Sequence, residues 1–411
     1  MSMRRLLGVA LVAAATVPVV VPSASHAAAP VSTGTTATRA AQVQHELVDP
    51  QGRPIDGRGT TIAVIDTGVD PTHPAFVLPG GGSKIVRTLS ALPCLRYGEG
   101  SPVTQETSDD PSCLVDVPSG TTSDAGHGGH GTFVSGVAVG DAYTLPDGTK
   151  VGGTAPGARI LMISATTALV GIDNAFRWLV LHHSHPCGDD VPASVCPPVR
   201  AVNCSWGADD PSITRSQDAL AREGVLTVWA NGNGGGDGST SKSNVESTRD
   251  RTPGVVSVAG YDDHGTGSRA GDVPSGSSRG SKTDPRTWPD LVAPSENIIG
   301  SCRAYHPICP AIETETPRNG PSPTDSATYC IGSGTSFAAP QVCGIVAMLF
   351  QVAPRASAGQ IERAMLSTAH RFGDATSYQR VGGQWSSFDA GAGLVDAYAA
   401  ALALGARSAA A

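Results

Sequence analysis

Five short runs, at residues 60–65, 159–163, 199–203, 225–229 and 255–259, are mostly apolar, rich in β-branched side chains and free of regular polar alternation. A strand without polar alternation has to be covered on both faces, which is the situation of strands inside a parallel sheet. Helix-like segments at 132–139, 172–182 and 213–223 lie between several of these runs. Strand alternating with helix predicts an α/β chain, a doubly wound, mostly parallel sheet with helices on both faces. Active groups of such a sheet sit beyond the carboxyl ends of its strands. Three stretches, 78–126, 233–251 and 304–328, are rich in Gly, Ser, Pro and Asp and lack periodicity, so they read as surface loops of one domain.

The chain of 411 residues is 40% hydrophobic, 16% charged and carries 50 glycines, enough apolar material for one large core with many turns. Its net charge of -8, from 28 basic and 36 acidic residues, offers no electrostatic footprint for nucleic acid or an anionic membrane. Arg4 and Arg5 precede an apolar stretch over 6–21 that is broken only by small residues and Pro18. With Ser25 and Ala27 ahead of a cut, residues 1–27 read as a secretory signal peptide, Ala28 being the alternative cleavage position. The mature protein is therefore expected outside the cell, free of the membrane once the signal is removed.

Nine cysteines in an exported chain imply disulfides. Cys94 with Cys113 and Cys187 with Cys196 each bracket a short polar loop and are the expected pairs. Cys302, Cys309 and Cys330 share a Pro-rich segment and supply one more bond, while Cys204 and Cys343 sit in apolar runs as small buried thiols. The segment 28–58 is short, and its first part, 28–43, reads as disordered. Residues 59–405 form the expected domain, with a tail at 406–411.

Four motifs carry chemistry. The first apolar run ends in Asp66-Thr67-Gly68, which puts a carboxylate at the sheet's carboxyl edge as an orienting acid or a turn former. An aspartic protease presents each of its two carboxylates in the same tripeptide, but no second copy is present here. His130 stands between glycines at the start of a small-residue helix, in Gly129-His130-Gly131-Thr132, where an imidazole near neutral pKa can shuttle a proton. Neighbouring His127 reads as a surface residue, as does the group His182, His183 and His185 at a helix end, for which a metal site is the minor reading. Asn233, in Ala230-Asn231-Gly232-Asn233, places a side-chain amide on a glycine-rich strand exit, as an oxyanion donor or a turn residue. Ser336, in Gly334-Thr335-Ser336-Phe337-Ala338-Ala339-Pro340, opens an apolar helix whose free amides and positive dipole end suit a nucleophile. There Pro340 is expected in the first helical turn, where a missing N–H costs nothing.

In chain order these four motifs resemble those of the subtilisin-like serine peptidases, the subtilases. The resemblance spans about Gly59 to the Gly391-Ala392-Gly393-Leu394-Val395-Asp396 stretch and implies the subtilisin-like form of the α/β fold. It implies Ser336 as nucleophile, His130 as general base and then acid, Asp66 as the group fixing the imidazole tautomer, and Asn233 with the Ser336 amide around the oxyanion. It further implies that Ser205, Trp206 and Gly207 pair with an extended substrate, with Ala230, Asn231 and Gly232 as the opposite wall of the primary pocket. Main-chain pairing of that kind binds a protein or peptide with little regard to its sequence. No cofactor is implied for catalysis; structural calcium is allowed, but no ligand cluster for it is identified.

Two departures bear on the pocket. Trp206 stands where relatives frequently carry a smaller aliphatic, and Asn231 where they often carry alanine. The acidic pair Asp209 and Asp210 reads as a solvated turn, with recognition of basic substrate side chains as the minor alternative. The segment ahead of the first strand is shorter than a folded inhibitory propeptide, and the alanine-rich end over 398–411 is too short to cross a bilayer, unlike the anchor of a membrane-tethered mycosin. The expectation is a monomeric, freely released serine endopeptidase, with a non-catalytic peptide-binding relative, or a mycosin-like secretion-system peptidase lacking a membrane anchor, as the alternatives.

Overall fold

The structure is a computed structural model that describes residues 34–78, 80–96, 111–124, 128–144, 150–165, 169–207, 211–303, 329–373 and 378–409. The signal segment, His127, Asp209, Asp210, Cys309 and the 304–328 stretch lie outside the described residues.

All five apolar runs form strands, Thr61–Asp66, Arg159–Ser164, Val199–Cys204, Leu226–Ala230 and Val255–Tyr261. They belong to one sheet of eight strands. From one edge to the other the order is Leu291–Pro294, Val255–Tyr261, Leu226–Ala230, Val199–Cys204, Thr61–Asp66, Arg159–Ser164, Ile85–Ser90 and Val115–Asp116. Every pairing is parallel except the last. Asp66 pairs in register with Ser164, and Cys204 with Trp229, so the carboxyl ends of the central strands finish along a common edge.

Each face of the sheet has its own core. On one side lie the helices His130–Val139 and Thr335–Val352, on the other Leu169–His182 and Pro211–Arg222. Composition separates them: the first two are apolar or small all round, the pattern of helices with no solvent face, whereas Pro211–Arg222 keeps Arg215 and Arg222 outside. In Thr335–Val352 every residue except Ser336 is buried.

Three expectations need correction. The stretch 78–126 is not only loop, because Ile85–Ser90 is a strand of the main sheet. Its single fully buried position is Leu89, and Arg87, half-buried, pairs with Asp116 on the edge strand, so no continuous apolar run marks it. The stretch 233–251 is not only loop either, because Val245–Arg249 is helical, and Leu291–Pro294, outside the five expected runs, adds a further outer strand. Residues 28–43 are not disordered from Gly34 onward: Gly34–Ala37 and Ala40–Glu46 are helical, with Ala37, Ala40 and Val43 buried. Arg39 pairs with Asp396, and Leu47–Val48 forms a two-stranded ladder with Arg407–Ser408, so both ends of the described chain lock together behind the sheet.

The pairs Cys94–Cys113 and Cys187–Cys196 form disulfides as expected, Cys302 is also disulfide-bonded, and Cys204 and Cys343 are buried thiols.

If the N-terminal helices belong to the folded domain, Val43→Ala, at a fully buried helix position, should cost about 1.5–3 kcal/mol, lowering the denaturant midpoint. A disordered arm would leave the midpoint where it was.

Candidate active site

Asp66 ends the central strand with its carboxylate almost wholly buried, and Oδ1 accepts the Thr67 N–H at 2.7 Å. His130 opens its helix behind Gly129, and its Nδ1 lies 2.9 and 3.0 Å from the two Asp66 oxygens. An ionised carboxylate only accepts, so the proton sits on Nδ1 and Nε2 is left bare as a base. The close approach needs glycine after His130, where a Cβ on Gly131 would clash with the Gly68 carbonyl oxygen, and Gly129 before it takes the left-handed φ of 79° that enters the helix. Burial by itself would lower the imidazole pKa, but the charge and hydrogen bond of Asp66 outweigh it and hold His130 above its ordinary value of 6.5.

Ser336 is the second residue of the long helix, where the backbone N–H has no intrahelical acceptor. Pro340 lies at the sixth position rather than in the first turn. It has no N–H to give to the carbonyl four residues back, which is that of Ser336. That carbonyl accepts instead from Ser205 Oγ at 2.7 Å, while the Ser336 hydroxyl donates to the Ser205 carbonyl at 2.9 Å. The two serines thus exchange reciprocal bonds, and Asn203 Nδ2 holds Ser205 Oγ at 3.0 Å. Among the described residues the His130 ring makes no hydrogen bond to the Ser336 hydroxyl; its link to that helix is Phe337, 5.9 Å between ring centres.

Asn233 is exposed at the exit of Leu226–Ala230, and its Oδ1 accepts both the N–H and the hydroxyl of Thr335, each at 2.9 Å. This fixes the amide with Nδ2 as the outward donor. Gly334 runs beneath it at φ 147°, and a Cβ there would sit 3.4 Å from Nδ2, so the helix entry accepts glycine alone without strain.

The two proposed walls of the peptide cleft are stitched together. Asn244 Nδ2 donates to the carbonyls of Trp206 and Ala230, at 3.1 and 3.2 Å, and its N–H donates to Asn231 O. Trp206 folds back, its indole N–H on Ile65 O at 2.7 Å and its ring edge-on to Trp229. Asn231 is fully buried, with Nδ2 on Ser278 O and Oδ1 accepting from Ser257 Oγ, both at 2.8 Å. Asn231 therefore spends its side chain inside the protein, and Trp206, part-buried, turns its indole inward. Gly207 is exposed, and Gly232 N donates to Thr335 Oγ1, tying this wall to the Ser336 helix.

Sequence reasoning missed Asn244, hidden in a polar stretch read as surface loop, and Asp124, a fully buried carboxylate six residues before His130 with no periodic signal around it. His182 stacks on Trp178. Among the described residues no group of three or more His, Cys, Asp or Glu side chains is placed to hold a metal ion.

The family model described as "Subtilase family" matches residues 57–393, from just ahead of the first sheet strand to the closing glycine turn. The chain belongs to the subtilase family. Fervidolysin of Fervidobacterium pennivorans is 30% identical over 348 residues, covering 82% of this chain and 40% of that protein. Serine protease AprX of Bacillus subtilis is 25% identical, covering 82% and 67%, and Subtilisin Savinase of Lederbergia lenta is 25% identical, covering 85% and 93%. This subtilase thus spans well under half the length of fervidolysin. The crystal structure of fervidolysin, a keratinolytic enzyme related to subtilisin, superposes with a TM-score of 0.58 at 27% identity, over 85% of this chain and 43% of that one. A psychrophilic protease, S41, matches in fold with a TM-score of 0.55 at 20% identity, over 83% and 92%. The subtilisin-like α/β fold of this subtilase is the one its motifs imply.

The sign of the His130 shift is testable. Because its folded pKa is raised, the Asp66 contact adds stability that is fully present below about pH 6.5 and is lost as pH rises through the raised value. Asp66→Asn leaves burial less opposed, so the His130 pKa followed by NMR should fall from its wild-type position; an unchanged titration would break the link between the two residues.

Proposed function

We propose that this subtilase is a secreted serine endopeptidase working through an acyl-enzyme, with Ser336 as nucleophile, His130 as base then acid, and Asp66 as the orienting acid. The observation that carries this reading is the Asp66–His130 pair at the sheet edge, its ring packed on Phe337 beside Ser336, the one residue of the core helix that is not buried. An extended peptide would lie along Ser205, Trp206 and Gly207 with Ala230, Asn231 and Gly232 opposite. Rotation of the Ser336 side chain takes its hydroxyl from Ser205 O to His130 Nε2, which removes the proton as Oγ attacks the scissile carbonyl. The oxyanion formed is held by Asn233 Nδ2 and the Ser336 N–H, donors oriented before reaction. His130 returns the proton to the departing amine, and water then hydrolyses the ester by the same route. Export is supported by the signal-like residues 1–27 and by the disulfides. Calcium has no assigned ligands.

One observation favours a second reading, a peptide-binding relative that does not cut: the Ser336 hydroxyl rests on Ser205 rather than on His130. A serine-directed fluorophosphonate separates the two. Wild type should be labelled and Ser336→Ala should not; a folded but unlabelled wild type would establish the binding module.

His130→Ala should lower kcat by roughly 10⁴-fold without unfolding the protein. In wild type the rising limb of kcat/KM should have an apparent pKa above 6.5, since only neutral His130 takes the proton. A limb below that value would remove His130 as the base.

A further inference from the structure

We infer that Asp124 is a positioning residue, a buried carboxylate that holds the Asp66 turn and the His130 helix in register. The inference rests on the triad reading above. Asp124 is 0% exposed, and both its oxygens are engaged. Oδ1 accepts from Thr67 Oγ1 at 2.7 Å and from the Gly129 N–H at 3.2 Å; Oδ2 accepts from the Thr132 N–H at 2.9 Å and from Thr132 Oγ1 at 2.6 Å.

These donors belong to two segments that must meet. Thr67 follows Asp66 and gives its own N–H to the Asp66 carboxylate. Gly129 and Thr132 flank His130 in the first turn of its helix. Thr67 Oγ1 also accepts the Gly131 N–H at 2.9 Å, so its proton is directed at Asp124 and the threonine becomes a relay between the segments. Thr132 Oγ1 in turn accepts the Asp70 N–H at 2.9 Å, four residues beyond Asp66. Ser123 clamps the same turn, its N–H on Val69 O and its Oγ accepting the Val69 N–H, both at 3.0 Å.

An acceptor-only group is required because all four contacts are donors. The amide of asparagine would set an N–H₂ against the two donors that one carboxylate oxygen now accepts, though volume is nearly unchanged. The Asp66–His130 contact joins residues 64 apart in sequence, and its geometry is fixed by what surrounds it. An error of about 1 Å at such a site costs on the order of 100-fold in rate. Asp124 also contributes to the charge that raises the His130 pKa, after burial and Asp66. Asp66 and Asp124 are the two carboxylates acting on that ring.

The test uses Asp124→Asn, Thr67→Val and Thr67→Ser in the full mature chain, with peptide hydrolysis, fluorophosphonate labelling rate, thermal melting and the NMR titration of His130. Positioning predicts that Asp124→Asn and Thr67→Val each lower kcat by about 100-fold with KM within about threefold, and lower the His130 pKa. It predicts that Thr67→Ser, which restores the hydroxyl, recovers most of the loss, and that combining Asp124→Asn with Thr67→Val costs little more than either alone. A melting shift with kcat and the His130 titration unchanged would make Asp124 merely structural and overturn the inference. If Asp124→Asn does not fold, equal rates for Thr67→Val and Thr67→Ser overturn it as well. Should the wild type prove inactive, the triad reading fails separately, and a His130 pKa that falls in the folded Thr67→Val protein, which removes no charge, upholds the positioning role.

Discussion

A helix with apolar residues on every side has no stable place except between other elements, and the Thr335–Val352 helix imposes that constraint on the whole molecule. The sheet and the His130 helix pack around it, and its N-terminus is its one outlet to solvent. Ser336 stands at that outlet. Pro340 would be a defect in an isolated helix, but here the carbonyl it releases is taken by Ser205, so the break in the helix ladder becomes the joint between Ser336, the proposed nucleophile, and the proposed substrate strand. Packing and the site are in this sense one arrangement.

The electrostatics follow from the same burial. His130 sits where desolvation disfavours its charged form, and the Asp66 carboxylate more than restores it. A base of raised pKa is the stronger proton acceptor once it is neutral, and the fixed Nδ1–H keeps Nε2 available. The carboxylate stays usable because it is itself held by the Thr67 N–H and by the turn that Asp124 and Ser123 clamp from below.

Much of the frame could be read from residue order. The five two-sided strands betray themselves because apolar and β-branched residues crowd together with only isolated polar residues such as Arg200 and Ser257 among them, and the strand ends carrying Asp66 and Ala230 follow from them. Ile85–Ser90 escapes detection because Arg87, Thr88 and Ser90 are tolerated on a half-buried strand beside a short edge partner. The N-terminal helices are illegible for another reason: Ala37, Ala40 and Val43 are small and sparse, and residues far along the chain give them a core, Ala40 and Val43 with the Ala397–Ala403 helix and Ala37 with Ala259, Val292 and Leu394. In the site, Asp66, His130, Asn233 and Ser336 stand in recognisable glycine-rich motifs. Asp124, Asn244 and the reciprocal Ser205–Ser336 bonds do not, because their roles depend on which donors and acceptors the fold brings opposite them. The inward turn of Trp206 and Asn231 is likewise a matter of neighbours, Ile65 O and Ser257, that no spacing announces.

In the proposed chemistry a carboxylate, an imidazole and a hydroxyl act together at the carboxyl edge of the sheet. A crystal structure of the phosphonylated protein shows whether they do. Expected is phosphorus bonded to Ser336 Oγ, its free oxygen within hydrogen-bonding distance of Asn233 Nδ2 and the Ser336 N–H, and His130 turned to the adduct with Nδ1 still on Asp66. An adduct on another residue, or one on Ser336 with His130 and Asn233 out of reach, would contradict it.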